Sequence, residues 1–147
     1  MEKLLISACL LGVKSRYDGE GKQTLSSEEI DLLSKKYNLV PFCPEIYGGL
    51  PTPRTPSERV LDKVLMKDGK DVTENYKKGA YEAVYLCNLM GIKKALLKEK
   101  SPSCGNGYIY DGTFSGTLTK GDGVSAEYLK KNGVEVYGES DLLKLLK

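Results

Sequence analysis

Lys94-Ala-Leu-Leu-Lys-Glu-Lys-Ser-Pro-Ser-Cys104-Gly105 changes character halfway along. The apolar run Ala95-Leu96-Leu97 suits a buried strand. It stops at Ser101-Pro102, where proline offers no backbone donor, and Gly105 and Gly107 admit dihedrals closed to other residues. A central strand cannot continue through such a segment. The strand Lys94 to Lys98 therefore leads into a turn that presents Cys104 beside Ser101 and Ser103. A thiol in that position can be a metal ligand, a nucleophile or a structural residue, and the choice depends on where the other cysteines fall.

Outward from this turn the chain alternates strands and helices. Lys3 to Ala8 is a short apolar run that ends at Cys9, and Leu39-Val-Pro-Phe-Cys43 is a second strand stopped by Pro44. Val134 to Tyr137 reads as a fourth. Between them, Ser26-Ser-Glu-Glu29 fits a capping box and predicts a helix from Ser26 to Tyr37. Thr73 opens the longest helix, with Tyr76, Ala80, Ala83, Val84 and Cys87 on one face and Gly91 as its C-terminal cap. Val124 to Asn132 and Ser140 to Leu146 supply two more. Asp68-Gly69, flanked by Val60 to Lys67 and by Asp71-Val72, predicts a hairpin. One polar loop runs from Gly12 to Lys22, and a stiff one carries Glu45, Gly48-Gly49, Pro51, Pro53 and Pro56 around Arg54.

This order predicts one α/β domain over residues 1–147, a Rossmann-like three-layer fold with a mainly parallel sheet of about four strands and a hairpin outside it. Ligands of such sheets collect beyond the carboxyl ends of the strands. Cys9, Cys43 and Cys104 all follow strands, so three thiols distant in sequence reach one sheet edge. Cys87 lies on the apolar face of a helix and reads as core.

Composition narrows the chemistry. There is no histidine, which excludes a histidine triad, histidine-ligated zinc and an imidazole base, and leaves proton transfer to carboxylate, hydroxyl, lysine or tyrosine groups. A net charge of +2 makes no electrostatic case for a nucleic-acid or membrane partner. The absence of a secretory signal or spanning segment points to the cytoplasm, where thiols stay reduced. Three thiols without histidine form a soft site. Zinc is one candidate, although no Cys-x-x-Cys pair is present; an iron–sulfur cluster with one iron open is the other.

Ile6-Ser-Ala-Cys-Leu-Leu-Gly12, Arg16-Tyr-Asp-Gly19, Cys43-Pro-Glu45, Gly48-Gly-Leu50, Pro53-Arg54, Asp71-Val-Thr73, Lys98 to Gly105 and Ile109-Tyr-Asp-Gly-Thr-Phe-Ser-Gly116 together resemble the thiouracil desulfurase family. The likeness runs from Ile6 to about Val136. It implies a 4Fe-4S cluster held by Cys9, Cys43 and Cys104, with one open iron, and conversion of thiouracil to uracil and sulfide. Replacing that sulfur by oxygen leaves the ring oxidation level unchanged, so a hydrolase reaction without net redox change is expected. The resemblance further implies that Glu45 and Ser101 are the proton-transfer pair. Many relatives have an additional cysteine where this chain has Ser15.

A thiocarbonyl sulfur is a soft ligand for an open iron, which would leave the ring carbon open to water while the sulfur departs on the metal. Arg54, Lys100 and Ser103 are candidates for holding polar or anionic groups of a thiolated pyrimidine, and Tyr17, Tyr108 and Phe114 for stacking on its ring. Two other classes compete: a sulfur carrier or donor in nucleoside or tRNA thiolation, for which the net charge offers no support, and a non-catalytic metal-binding module.

Overall fold

A computed structural model describes residues 1–21 and 24–147; the Lys22 end of the expected first loop lies outside them. The N-terminal apolar run forms β1 (Glu2–Ser7). Along the chain follow α1 (Ser27–Lys36), β2 (Tyr37–Phe42), the short α2 (Pro44–Tyr47), the hairpin β3 (Ser57–Val60) and β4 (Lys63–Met66), then α3 (Thr73–Met90) and β5 (Lys94–Leu97). A second hairpin, β6 (Tyr108–Tyr110) and β7 (Leu118–Lys120), precedes α4 (Val124–Lys131), β8 (Glu135–Gly138) and α5 (Leu142–Leu146).

The main sheet has the order β2-β1-β5-β8, and each neighbouring pair is parallel. Side chains of β1 divide by strand period. Leu4 and Ile6 enter one core with Leu33, Leu142 and Leu145, and Leu5 enters another with Ala83, Cys87 and Leu129. The sheet therefore has α1 and α5 on one face and α3 and α4 on the other, the three layers expected of an uninterrupted apolar strand. Tyr76 and Ala80 of α3 also close a third core, with Val64 and Met66 of the first hairpin.

The capping box forms as written: Glu29 N donates to Ser26 Oγ at 3.1 Å, and Ser26 N to Glu29 Oε1 at 2.9 Å. The helix stops one residue short of Tyr37, which opens β2 instead. Its ring is 1% exposed and its hydroxyl donates to Leu145 O at 2.8 Å, so tertiary burial overrides the helical spacing. The first hairpin also lies earlier than expected. Its strands pair from Ser57↔Met66 to Val60↔Lys63, and the chain reverses at Leu61-Asp62. Leu61 adopts φ 53°, which sequence chemistry does not announce. Asp68-Gly69 makes a further turn that folds Asp71 back onto Leu65 as an isolated bridge. The second hairpin gives no sequence signal because Leu118–Lys120 is exposed at every residue and shows no alternation of burial.

Glycine brings α2 against α3. A Cβ at Gly79 would lie 1.9 Å from Pro44 O, and one at Gly48 would lie 2.1 Å from Asn75 O. The loop that follows β2 is thereby pressed onto the middle of α3. Alanine for glycine inside a helix ordinarily adds about 1 kcal/mol of stability. Gly79→Ala should instead lose about 1–3 kcal/mol, because backbone must move to admit the methyl group. A melting temperature equal to or above that of the parent would contradict this close approach.

Candidate active site

The chain leaves β1 for β2 on one side, and leaves β5 for β8 on the other. The carboxyl ends of β1 and β5 therefore flank a topological switch point, where diverging connections open a crevice. A cavity of ≈ 530 Å³ lies there, and Cys9, Cys43 and Cys104 all line it. Cys9 stands on a single 3-10 turn, Ala8–Leu11, closed by Gly12 at φ 92°. Cys43 is the N-cap of α2. Cys104 sits on the turn after β5, where Gly105 N donates to Ser101 O at 2.9 Å. Cys87 is absent from this cavity and is packed with Leu129 and Ala126 in the core.

The three thiols feel one another. Burial pushes Cys9 up to about 11, with the neighbouring Cys43 adding to the effect. Burial also raises Cys43. It raises Cys104 furthest, against the opposing hydrogen bond from Ser7. Ser7 carries no local sign of this role: its hydroxyl accepts from Lys98 N at 2.9 Å and engages the Cys104 sulfur, tying β1 to the thiol turn. Lys98 and Arg16 favour a thiolate at Cys9. Burial thus opposes ionisation at all three thiols, and a cation among them would favour it.

Among the described residues, no group of three His, Cys, Asp or Glu side chains is spaced for a single metal ion. A multi-iron cluster sets different terms, because each iron takes its own thiolate. One further group is incomplete. Ser15 Oγ is buried in the cavity wall and, alone among the buried side-chain N and O atoms of the described residues, has no hydrogen-bond partner. Its carbonyl meanwhile accepts from Cys43 Sγ at 3.8 Å.

Glu45 occupies the first turn of α2 and faces the same cavity. Arg54 Nε donates to its Oε2 at 3.0 Å, and Arg54 Nη2 bonds the same oxygen. The phenol of Tyr76 lies against Glu45 and Ser57; burial first, and the Glu45 carboxylate next, push it well above its ordinary value. In the sequence Tyr76 reads only as one residue of an apolar helix face, a pattern that does not distinguish a phenol from a phenyl ring.

The remaining candidates separate. Ser101 lines the cavity, but its Oγ accepts from Ser103 N and Cys104 N, both at 3.1 Å, so it also builds the turn. Ser103 does not reach the cavity: it is 0% exposed and its hydroxyl pairs with Ser125 at 3.1 Å. Tyr17, Arg54, Lys100 and Phe114 do line it, whereas Tyr108 is 54% exposed outside it and Tyr110 lines it instead. Phe114 is set in place by Glu58, a buried carboxylate that accepts from Gly112 N at 2.9 Å and Phe114 N at 3.1 Å. Glu58 carries no sequence signature, since its partners are backbone groups more than fifty residues away.

Comparison with known proteins adds three findings. The model of the 2-thiouracil desulfurase family matches residues 4–141. The uncharacterized protein YbbK of Bacillus subtilis (strain 168) is 39% identical over 153 residues, covering 97% of this chain and 99% of the relative. A solved structure described as the [4Fe-4S]-dependent thiouracil desulfidase TudS superposes with a TM-score of 0.92 at 46% identity, covering 99% of this chain and 95% of that one.

The turn geometry makes a prediction of its own. Removing the Ser101 hydroxyl leaves the amides of Ser103 and Cys104 without their acceptor. Ser101→Ala should therefore cost about 1–3 kcal/mol of folding stability in protein without added metal, read from the urea midpoint. An unchanged midpoint would show that the hydroxyl does not hold this turn.

Proposed function

Because the chain belongs to the 2-thiouracil desulfurase family, we propose that it removes sulfur from a thiolated uracil, giving uracil and sulfide. The observation that carries this reading is the meeting of three strand-end thiols and the Glu45 carboxylate in a single cavity. The donor set fits a 4Fe-4S cluster: soft ligands only, no histidine, and three thiols whose ionisation burial and one another oppose until a cation is shared among them. Cys9, Cys43 and Cys104 would hold three irons, leaving the fourth without a protein ligand. When bound, such a cluster supplies a Lewis-acidic iron with an affinity for the departing sulfur.

The chain's own residues perform the rest. Tyr17 and Phe114 line the cavity, where they would flank the pyrimidine ring. Glu45 takes a proton from the water that adds at the thiocarbonyl carbon. The oxygen of Ser101 already accepts from two amides, so its own proton is directed outward as a donor to the leaving sulfur. Thiocarbonyl and water give carbonyl and hydrogen sulfide, an exchange that balances without electrons, and the site needs no reductant.

Loss of the near-ultraviolet absorbance of thiouracil, with release of free sulfide by anaerobically reconstituted protein, tests the activity. Sulfur found only on an RNA acceptor would instead indicate a carrier. Alanine at Cys9, Cys43 or Cys104 should abolish iron retention, whereas Cys87→Ala should keep it; a Cys104→Ala protein that held its iron would contradict the ligand assignment. Glu45→Gln should keep iron and thiouracil binding but lower kcat by about 10²–10⁴-fold. Full turnover by that variant would remove Glu45 from the mechanism.

A further inference from the structure

Arg54 stands in the cavity wall as a cation, yet it has nothing left to offer a substrate. A guanidinium has five N–H donors in a fixed plane. Here Nε donates to Glu45 Oε2 at 3.0 Å, Nη1 to Pro51 O at 3.2 Å and to Thr52 Oγ1 at 3.0 Å, and Nη2 to Ser15 O at 3.1 Å and to Glu45 Oε2. These five contacts account for all five donors. The side chain is 3% exposed, against 15% for Glu45.

The arrangement is also asymmetric. Arginine usually grips both oxygens of a carboxylate side by side. Both bonds here converge on Oε2, and Oε1 receives none from the guanidinium. Oε2 is thereby engaged twice by the guanidinium, and Oε1 is the carboxylate oxygen that Arg54 leaves open. We infer that Arg54 is a positioning residue: it anchors the Glu45 carboxylate by one oxygen and thereby orients the other towards the water and substrate. This inference rests on the reading of Glu45 as the proton-transfer group.

The same side chain joins three loops. The Ser15 carbonyl that accepts from Arg54 belongs to the segment after Cys9, and Glu45 follows Cys43. Pro51 and Thr52 belong to the proline-rich loop that carries Arg54 itself. Arg54 therefore sets the carboxylate relative to two of the candidate ligand loops at once. Lysine cannot replace it, because a compact ammonium has three donors and no planar fork.

The test is a double-mutant cycle on reconstituted protein. Arg54→Lys should retain iron and bind thiouracil with a dissociation constant within about two-fold of the parent, read from the difference spectrum, while kcat falls by about 10–10²-fold through misplacement of Glu45. In the Glu45→Gln background the same change should lower kcat by less than about two-fold, because its target is already gone. A full further loss in that background, or weakened thiouracil binding with kcat preserved, would overturn the inference while leaving Glu45 as the proton-transfer group. Full activity of Glu45→Gln alone would overturn both. Should Arg54→Lys lose its iron, Arg54→Gln takes its place in the cycle; its amide donates to Glu45 without charge, and the same outcomes decide.

Discussion

β1 is hydrogen-bonded in parallel to β2 along six residue pairs on one side and to β5 on the other. Parallel neighbours oblige the chain to return from the carboxyl end of one strand to the amino end of the next. Every loop that follows a strand then lies at the same edge of the sheet. The loop after β1 carries Cys9, the loop after β2 carries Cys43 and Glu45, and the loop after β5 carries Ser101 and Cys104. Helices cover both faces of the sheet, so the thiols at that edge are largely withdrawn from water. The glycine contact between α2 and α3 then fixes the angle at which the middle loop enters.

A sheltered edge carrying three thiols and a carboxylate is electrostatically awkward. Burial opposes ionisation of each thiol there, and the charged forms of its neighbours oppose it further. Two of the cations lining the cavity are held in place rather than free. Arg54 is bound to Glu45, and Lys98 to Glu139 at 3.1 Å, before either influences a sulfur. A buried ion pair of this kind adds little net stability compared with an apolar replacement, and removing one partner is strongly destabilising. Its value here lies in orientation. The unpaired Ser15 hydroxyl and the three thiols whose ionisation burial opposes all line one cavity.

Residue order makes the sheet and the thiol edge readable, because apolar runs ending at Cys9 and Cys43 place those sulfurs whatever the loop details. Cys87 is likewise legible from its helical spacing, which the burial of α3 bears out. What sequence cannot supply are contacts between distant segments. Arg54 reads as a candidate substrate receptor, because nothing local reveals that Ser15, Thr52 and Glu45 take up its donors. Ser103, adjacent to Cys104, looks like a site residue; the turn rotates it onto Ser125 of α4. The displaced hairpin follows the same logic, for burial of Val64 and Met66 chose the register over the Asp-Gly signal. Tyr76 and Glu58 are hidden for opposite reasons, one among apolar neighbours of α3 and the other behind backbone partners far along the chain.

On the proposed reading, this cavity exchanges a thiocarbonyl sulfur for the oxygen of water without electron transfer. The most direct measurement is the fate of isotopically labelled water during turnover of thiouracil by anaerobically reconstituted protein in the absence of any reductant. Uracil carrying one labelled oxygen at the former sulfur position is expected, together with one equivalent of sulfide. Unlabelled uracil, or turnover that begins only when a reductant is supplied in equivalent amount, would contradict that reading.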